Sequence, residues 1–306
     1  MKTAIVDLGT NTCTLVIGSI QDEKLTISFK KSIPVILGST DHYINGKITK
    51  LGIQKILNVL HTHHLTAQKY GIEQLNIFAT AAIRESKNRD CVRESITANP
   101  CFKFIILNGQ KEAEITTAAT IHLSKELEGP ILTMDIGGGS NEFVLLCNNK
   151  IVWSKSFKTG MARILNQFPF ENNITSTNQK EILDYFESNH QELWDIIRHY
   201  KPRTLLGSSG AFDTFVDLVT YKKCVSHMQR INNINFQELK LLHDKLMKSS
   251  NNDRESMEGM EPIRATMIVY ASILTQIVLD KSKIKNIYQT GYALAEGALY
   301  YYKYNS

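Results

Sequence analysis

Two stretches of sequence that lie 128 residues apart decide the fold. The first reads Ala4-Ile-Val-Asp7-Leu-Gly9-Thr-Asn-Thr-Cys-Thr-Leu-Val-Ile17, and the second reads Leu132-Thr-Met-Asp135-Ile-Gly137-Gly-Gly-Ser-Asn-Glu-Phe-Val-Leu145. Each copy is an apolar strand that ends in an aspartate, followed by an apolar residue, a glycine, a small polar loop and a second strand. The copies align without a gap. Their domain-sized spacing indicates a duplication and not a short-repeat solenoid.

The chain around each copy alternates strands and helices. After the first copy, the hydrophobic pattern predicts a helix over 49–70, a strand over 75–79, a helix near 88–97, a strand over 104–107 and a helix over about 111–127. After the second, it predicts strands at 142–147, 151–158, 204–207 and 286–289, and helices near 162–168, 178–199, 211–221, 236–248, 263–281 and 293–302. We therefore predict two domains, 1–126 and 127–306, and leave open whether the last helix packs back on the first.

Composition narrows the class of protein. The 306 residues are 42% hydrophobic and 21% charged, which excludes a disordered or fibrous chain. The net charge of +5 is too weak to indicate nucleic-acid binding but suits an anionic substrate. Five scattered cysteines without a CxxC pair indicate reduced thiols, and we expect a cytoplasmic protein without a membrane span or specific nucleic-acid partner.

The repeated loops are rich in hydrogen-bond donors. Successive N–H groups in such a turn form an anion-binding nest, to which hydroxyl groups add further donors. Each loop follows an aspartate, which would repel a phosphate directly but suits a bridging Mg²⁺. The motif is neither a Rossmann nor a Walker A sequence, and ordinary hairpin turns are the alternative interpretation. The predicted phosphate-binding residues are Gly9, Thr10, Asn11, Thr12, Gly137, Gly138, Gly139 and Ser140.

Four motifs together resemble the exopolyphosphatase / guanosine pentaphosphate phosphohydrolase (Ppx/GppA) family. In order they are Asp7-Leu-Gly-Thr-Asn-Thr, Ala79-Thr-Ala-Ala-Ile-Arg84-Glu-Ser-Lys-Asn88, Gly109-Gln-Lys-Glu112-Ala113 and Asp135-Ile-Gly-Gly-Gly-Ser-Asn-Glu142. The resemblance covers nearly the whole chain and is that of a short, two-domain member. It implies an α/β fold of duplicated actin-like or sugar-kinase-like (ribonuclease H-like) domains around a central cleft.

The resemblance also implies a chemistry. The implied protein is an Mg²⁺-dependent phosphatase, which removes terminal phosphates from polyphosphate or the 5′ terminal phosphate from pppGpp. The implied base is Glu112, and Arg84 and Asp135 join it as catalytic residues. The implied metal ligands are Asp7, Asp135 and Glu142.

Each role has a structural alternative. Glu112 could instead be an acidic residue that is favoured near a helix N-terminus. Arg84 could belong to a charged, solvated surface, and Glu142 could be a charge at the edge of a strand. We interpret Lys87 and Arg89 as solvated surface charges.

The sequence departs from the family pattern at two places. Glu114 stands where the family usually has arginine, which removes a positive charge from the expected entrance of the active site and leaves substrate preference open. Gly207-Ser-Ser-Gly210-Ala stands where the family usually has a GTGGT-like segment. Two alternative functions stay open: a kinase-like phosphotransferase of the same superfamily, and a non-catalytic sensor of polyphosphate or alarmone. The sequence also leaves open whether the protein forms a homodimer.

Three further features are interpreted as structural. The sequence favours a solvated helix over a metal site for His61, His63 and His64, and a solvated helix end over a polyanion track for the basic segment 221–230. The cysteines are interpreted as small core residues, and Cys13 beside the first loop is the one to test for reactivity.

Overall fold

The computed structural model describes residues 2–221 and 231–305, so most of the basic segment 221–230 lies outside the described residues. The chain forms two compact units. Unit 1 comprises Met1–Ala119 and Leu294–Ser306, and unit 2 comprises Thr120–Ala293. In the described part of the chain, no helix combines the length and apolarity that a membrane span needs.

Unit 1 contains a five-stranded mixed sheet in the order β3-β2-β1-β6-β7. Its strands are β1 Thr3–Leu8, β2 Thr12–Gln21, β3 Lys24–Pro34, β6 Leu75–Ala79 and β7 Phe102–Ile106. Strand β2 pairs antiparallel with both β1 and β3, whereas β6 runs parallel to β1, and β7 runs parallel to β6. The short hairpin of β4 Tyr43–Ile44 and β5 Lys47–Ile48 turns at Asn45-Gly46, both at positive φ, as a tight hairpin turn requires.

The helices of unit 1 cover this sheet. They are α1 Lys50–Gln68, α2 Ala81–Arg84, α3 Arg89–Thr97, α4 Gly109–Ser124, within which the unit boundary falls, and α12 Leu294–Asn305. Helix α1 begins after Thr49, whose hydroxyl accepts the N–H of Gly52 at 3.1 Å and caps the first turn. Helix α12 packs on β1 and β2 and so brings the end of the chain onto the first unit.

Unit 2 contains a six-stranded sheet in the order β10-β9-β8-β11-β13-β12. The strands are β8 Ile131–Ile136, β9 Asn141–Cys147, β10 Lys150–Phe157, β11 Thr204–Ser208, β12 Ile231–Ile234 and β13 Asn286–Thr290. The helices are α5 Met161–Gln167, α6 Ser176–Asn189, α7 Gln191–Tyr200, α8 Ser209–Thr220, α9 Phe236–Lys248, α10 Asn251–Glu255 and α11 Met267–Ser282. Helix α11 is buried along most of its length and forms the centre of this core.

The two sheets share one topology. In each, three antiparallel strands are followed by two strands parallel to the first, and unit 2 adds the antiparallel edge strand β12. The register also repeats: Asp7 pairs with Thr14 across β1 and β2, and Asp135 pairs with Glu142 across β8 and β9. This arrangement is ribonuclease H-like in both units. The predicted duplicated α/β fold of the actin and sugar-kinase type is confirmed.

The single helix predicted over 178–199 is wrong. His190 lies between α6 and α7 in a non-helical backbone conformation. Its ring is fully buried beside Phe143, Phe157 and Phe186, and its Nδ1–H donates to the carbonyl of Phe186 at 2.8 Å. The helical period continues across the break, so hydrophobic spacing alone does not reveal it. The short elements α2, α10 and β12 were also missed, because they are too short to show a period.

Helix α12 approaches α4 closely enough to require glycine at position 297. A Cβ atom there would lie 1.8 Å from the carbonyl oxygen of Ile115. We expect Gly297→Ala to lower the free energy of unfolding by about 2–3 kcal/mol, because the two helices must separate to admit the methyl group. Urea titration monitored by circular dichroism measures this change.

Gly71→Ala is the matched control. It adds the same methyl group in open space at a positive φ, and we expect a loss of only about 1 kcal/mol. Equal losses for the two variants would contradict close helix packing at Gly297.

Candidate active site

The same hydrogen bond closes both glycine loops. In loop 1 (residues 9–12), the N–H of Gly9 donates to the carbonyl of Thr12 at 3.0 Å. In loop 2 (residues 137–140), the N–H of Gly137 donates to the carbonyl of Ser140, also at 3.0 Å. Each loop joins an antiparallel pair of strands, so the turn geometry repeats along with the sequence.

The carbonyl groups of loop 1 are bound by the chain that follows β3. Asn11 O accepts the N–H groups of Val35 and Ile36 at 2.8 and 3.0 Å, and Thr10 O accepts that of Leu37 at 2.7 Å. These bonds fix the orientation of the loop peptides. The N–H of Thr10 has no acceptor within residues 2–221 and 231–305, so it is available to an anion.

Loop 2 is held in the same manner by the first turn of α5. Gly137 O and Gly138 O accept the N–H groups of Met161 and Ala162, both at 2.9 Å. Arg163 Nε donates to the carbonyl of Gly139 at 2.6 Å. In the part of the chain that the structure describes, no group accepts from the N–H of Gly138 or Gly139. These two N–H groups have the arrangement of an anion-binding nest.

Gly160, at the start of α5, permits this contact. A Cβ atom at residue 160 would lie 2.4 Å from backbone atoms of Gly139 and Ser140. A larger residue would therefore push α5 away from the loop and break its hydrogen bonds. Sequence reasoning missed Gly160, since its only signal is a glycine that directly precedes a helix.

A chain of buried hydrogen bonds connects Asn141, the residue that follows loop 2, to Thr159 and His190. Asn141, the first residue of β9, donates through Nδ2 to the carbonyl of Thr159 at 2.6 Å and to its hydroxyl at 3.1 Å. The Thr159 hydroxyl lies 3.1 Å from His190 Nε2. The pKa of His190 is lowered to about 4, chiefly by burial, with a smaller contribution from the charge of Lys155 and against the bond to Phe186 O, which raises it. The neutral ring thus accepts from Thr159 and donates to Phe186.

A second buried histidine supports loop 1. His63 on α1 donates through Nε2 to the carbonyl of Cys13 at 3.0 Å, and burial lowers its pKa. His64 is also buried and contacts the carbonyl of Glu73, so the prediction of a solvated helix around these histidines is wrong. Burial raises the pKa of the Cys13 thiol, and the charge of Asp7 raises it further. Cys13 is thus a buried core thiol, which agrees with its interpretation as a small core residue.

The structure brings Arg84 and Glu112 together. Arg84 Nη1 forms an ion pair with Glu112 Oε2, and it also donates to the carbonyl of Leu107 at 3.2 Å. Both side chains are largely buried, with 14% of Arg84 and 9% of Glu112 exposed. Arg84 is therefore not part of a solvated surface. Glu112 does occupy the first turn of α4, as its alternative interpretation predicts, but its partner there is a buried guanidinium.

Parallel strands explain why these residues meet. Loop 1, α2 with Arg84, and the start of α4 follow the carboxyl ends of β1, β6 and β7, which are adjacent and parallel. Asn108 then starts α4: its side chain accepts the N–H of Lys111 at 2.8 Å, and its carbonyl accepts that of Glu112 at 2.9 Å. One edge of the unit 1 sheet therefore carries a loop of N–H donors, a guanidinium and a carboxylate.

Two predicted acidic residues of unit 2 are also neighbours. Asp135 and Glu142 pair across β8 and β9, which places their side chains on the same face of the sheet. Ser208 Oγ donates to Asp135 at 3.1 Å, and Ser156 Oγ donates to Glu142 at 2.7 Å. Glu142 is buried on an interior strand, so it is not an exposed charge at a sheet edge.

The donor set around Asp135 fits a hard, partly hydrated cation. Carboxylate and hydroxyl oxygens are the ligands that Mg²⁺ takes, and it commonly keeps several waters. Within the described residues, no group of three His, Cys, Asp or Glu side chains is arranged as a metal site. Any Mg²⁺ at Asp135 and Glu142 would thus depend on water or substrate oxygens for its remaining ligands.

The sequence model of the Ppx/GppA phosphatase family matches residues 16–304, which is nearly the whole chain. The protein belongs to the Ppx/GppA phosphatase family. The family resemblance of the four motifs is therefore confirmed.

Solved structures agree with this Ppx/GppA assignment. An exopolyphosphatase from Cytophaga hutchinsonii superimposes with a TM-score of 0.91 at 26% identity, over 98% of this chain and 97% of the other. The Ppx/GppA family member of Aquifex aeolicus superimposes with a TM-score of 0.81 at 22% identity, over 100% and 99% of the two chains. The second similarity supports the fold alone.

Sequence relatives within the family differ in length. A bifunctional 3-dehydroquinate synthase/phosphatase of Fusobacterium nucleatum is 29% identical over 287 residues, which cover 90% of this chain but only 43% of that relative. Exopolyphosphatase 1 of Mycobacterium leprae is 24% identical over 305 residues, covering 98% of this chain and 88% of the relative.

Stability should depend on pH through His190. Because its folded pKa of about 4 lies below the ordinary value of 6.5, the unfolded chain binds the extra proton between these pH values. The contribution of the neutral His190 ring to the free energy of unfolding is complete above pH ~6.5. As the pH falls toward ~4, up to about 3 kcal/mol of this free energy is lost. Urea unfolding at a series of pH values from 7 to 5 measures the slope.

His190→Gln should flatten this dependence, whatever its effect on stability at pH 7. His61→Gln, which changes an exposed histidine of α1, is the control and should keep the slope of the wild type. The assignment is incorrect if His190→Gln and wild type lose stability in parallel.

Proposed function

We propose that this protein is an exophosphatase that releases orthophosphate from the end of inorganic polyphosphate or from the 5′ end of pppGpp, which leaves ppGpp. The observation that carries this proposal is the buried pair of Arg84 and Glu112 at the sheet edge that also bears loop 1. Membership of a phosphatase family supports it. So does the similarity to an exopolyphosphatase of known structure.

Glu112 acts as the base. A water oxygen forms a bond to the terminal phosphorus, the bond from that phosphorus to the bridging oxygen breaks, and a proton of the water passes to the Glu112 carboxylate. The bridging oxygen stays with the shortened chain, and orthophosphate leaves. The transition state of this reaction is loose, so the position of the water matters more than the strength of the base.

Backbone groups and Arg84 bind the phosphate oxygens. The N–H groups of Gly138 and Gly139 are oriented by the inward-bonded carbonyls of Gly137 and Gly138 in the same peptides, so they need not reorganise as negative charge develops. The N–H of Thr10 is the donor from loop 1. The side chains of Asn11, Thr12 and Ser140 add donors to the loops. Arg84 holds Glu112 in place and presents its remaining N–H groups to a phosphate, which otherwise would be repelled by the carboxylate.

Mg²⁺ is the proposed cofactor, and Asp7, Asp135 and Glu142 are its proposed ligands. When bound, the ion neutralises charge on the phosphate chain. Ser208 and Ser156 hold Asp135 and Glu142 in fixed orientations, as hydrogen-bonding partners of metal ligands commonly do.

One assay separates this proposal from its alternatives. The purified protein is incubated with Mg²⁺ and tripolyphosphate, long-chain polyphosphate or pppGpp, and released orthophosphate is measured. We expect release from at least one of them. Transfer of label from ATP to a nucleotide or other acceptor would indicate a phosphotransferase, and tight binding without turnover would indicate a sensor.

Replacement of the base should abolish most of the turnover. We expect Glu112→Gln to lower kcat by roughly 10²–10⁴-fold, because the amide cannot accept the proton from water. KM should change much less, since Glu112 does not contribute to phosphate binding. Orthophosphate release under steady-state conditions gives both constants.

Glu181→Gln, an exposed carboxylate of α6, is the matched control and should retain kcat within about threefold, as substitutions remote from a site usually do. A folded Glu112→Gln protein with unchanged kcat would remove Glu112 from the mechanism.

A further inference from the structure

A cavity of about 320 Å³ in unit 1 is lined by three arginines. Arg84 contributes from the end of α2, and Arg89 and Arg93 contribute from one face of α3. Its other lining residues are Asp90 and residues 106–108, which connect β7 to α4. The cavity is therefore cationic: Asp90 is the one carboxylate among its lining residues, against the guanidinium groups of Arg89, Arg93 and Arg84, the last of which is paired with Glu112.

The positive charges of Arg89 and Arg93 do not stabilise the fold. Both side chains are exposed, and within the described ranges neither forms an ion pair. Arg89 is the first residue of α3, where a cation opposes the helix dipole, and Arg93 lies one turn later, where a like charge is unfavourable. Two destabilising cations that line one cavity are typical of a site for an anion.

The cavity is continuous with the catalytic pair. The Arg84 guanidinium lines it and also bonds to Glu112 and to the carbonyl of Leu107. Arg89 Nη1 reaches the carbonyl of Arg84 at 3.4 Å, which links the α3 arginines to the same segment. A substrate whose terminal phosphate meets Arg84 could thus extend further phosphates toward Arg89 and Arg93.

We propose that this arginine cavity is a second anion subsite, which binds a phosphate group of the substrate other than the one that is cleaved. This inference rests on the proposed function, because it assigns the cavity to the same substrate. Each planar guanidinium group can donate two parallel hydrogen bonds to phosphate oxygens, so three of them suit a site for a phosphate group. Arg89 is exposed, as its interpretation as a surface charge predicts, and the proposal gives it a further role.

Two substrates supply the required chemistry. One is polyphosphate, whose interior phosphates follow the terminal group directly. The other is a guanosine nucleotide with a 3′-diphosphate. The subsite recognises the phosphate groups that they share, so only a comparison of the two substrates tells which one uses it.

The test removes both exposed charges of α3. We expect the double variant Arg89→Gln/Arg93→Gln to raise KM about tenfold for the substrate that occupies the subsite, because two charge-assisted hydrogen bonds are lost. Tripolyphosphate, long-chain polyphosphate and pppGpp are assayed separately. A rise confined to long-chain polyphosphate assigns the subsite to interior phosphates, and a rise confined to pppGpp assigns it to the 3′-diphosphate.

A second variant should act in the opposite direction. Asp90→Asn removes the one carboxylate of the cavity, and we expect it to lower KM for the same substrate by about twofold, an improvement that structural damage cannot mimic. Lys240→Gln/Lys248→Gln removes two exposed cations from α9 in unit 2, and it should leave KM within twofold of wild type.

Binding separates failure of this inference from failure of the proposed function. Affinities for long-chain polyphosphate and pppGpp are measured by calorimetry in the Glu112→Gln background. If wild type turns over substrate but the Arg89→Gln/Arg93→Gln change leaves KM and affinity unaltered for all three substrates, the subsite is refuted and the exophosphatase proposal stands. If wild type shows no turnover, a tenfold loss of affinity still supports the subsite, and unaltered affinity refutes it.

Discussion

The carbonyl groups of both glycine loops are hydrogen-bonded into the protein, and the rest of the candidate site depends on this. In loop 1 the donors are N–H groups of the chain after β3, and in loop 2 they are the first N–H groups of α5. Because N–H and C=O point in opposite directions in each peptide, inward carbonyls leave the N–H groups facing outward. The anion-binding character of a loop thus arises from the segment that binds its carbonyls as much as from its glycines.

The pairing of Arg84 with Glu112 depends on a different constraint, which is the parallel arrangement of β1, β6 and β7. Their carboxyl ends meet at one edge of the sheet, so three segments far apart in sequence contribute loop 1, Arg84 and Glu112 to it. Burial of a lone carboxylate near phosphates would be costly. The Arg84 guanidinium offsets that cost, and it also lines the arginine cavity.

The duplication extends to the loops but not to the groups behind them. His63 from α1 bonds directly to the carbonyl of Cys13, the residue that follows loop 1. In unit 2, His190 lies between two helices and acts through Thr159 on Asn141. Both rings are buried and their pKa values are lowered, so each supports its loop without adding charge. The two units therefore stabilise equivalent loops with unrelated histidines.

The sequence by itself determined the duplication, the position of both loops and the family. Strand periodicity and glycine spacing are local properties, and four ordered motifs are highly specific. The strand pairing and its repeated register followed from them. What the sequence could not determine is which side chains are buried together. Three features depend on contacts between distant segments: the break at His190, the need for glycine at 160, and the cavity around Arg89 and Arg93. Such contacts leave no periodic signal, because desolvation and close packing act through space and not along the chain.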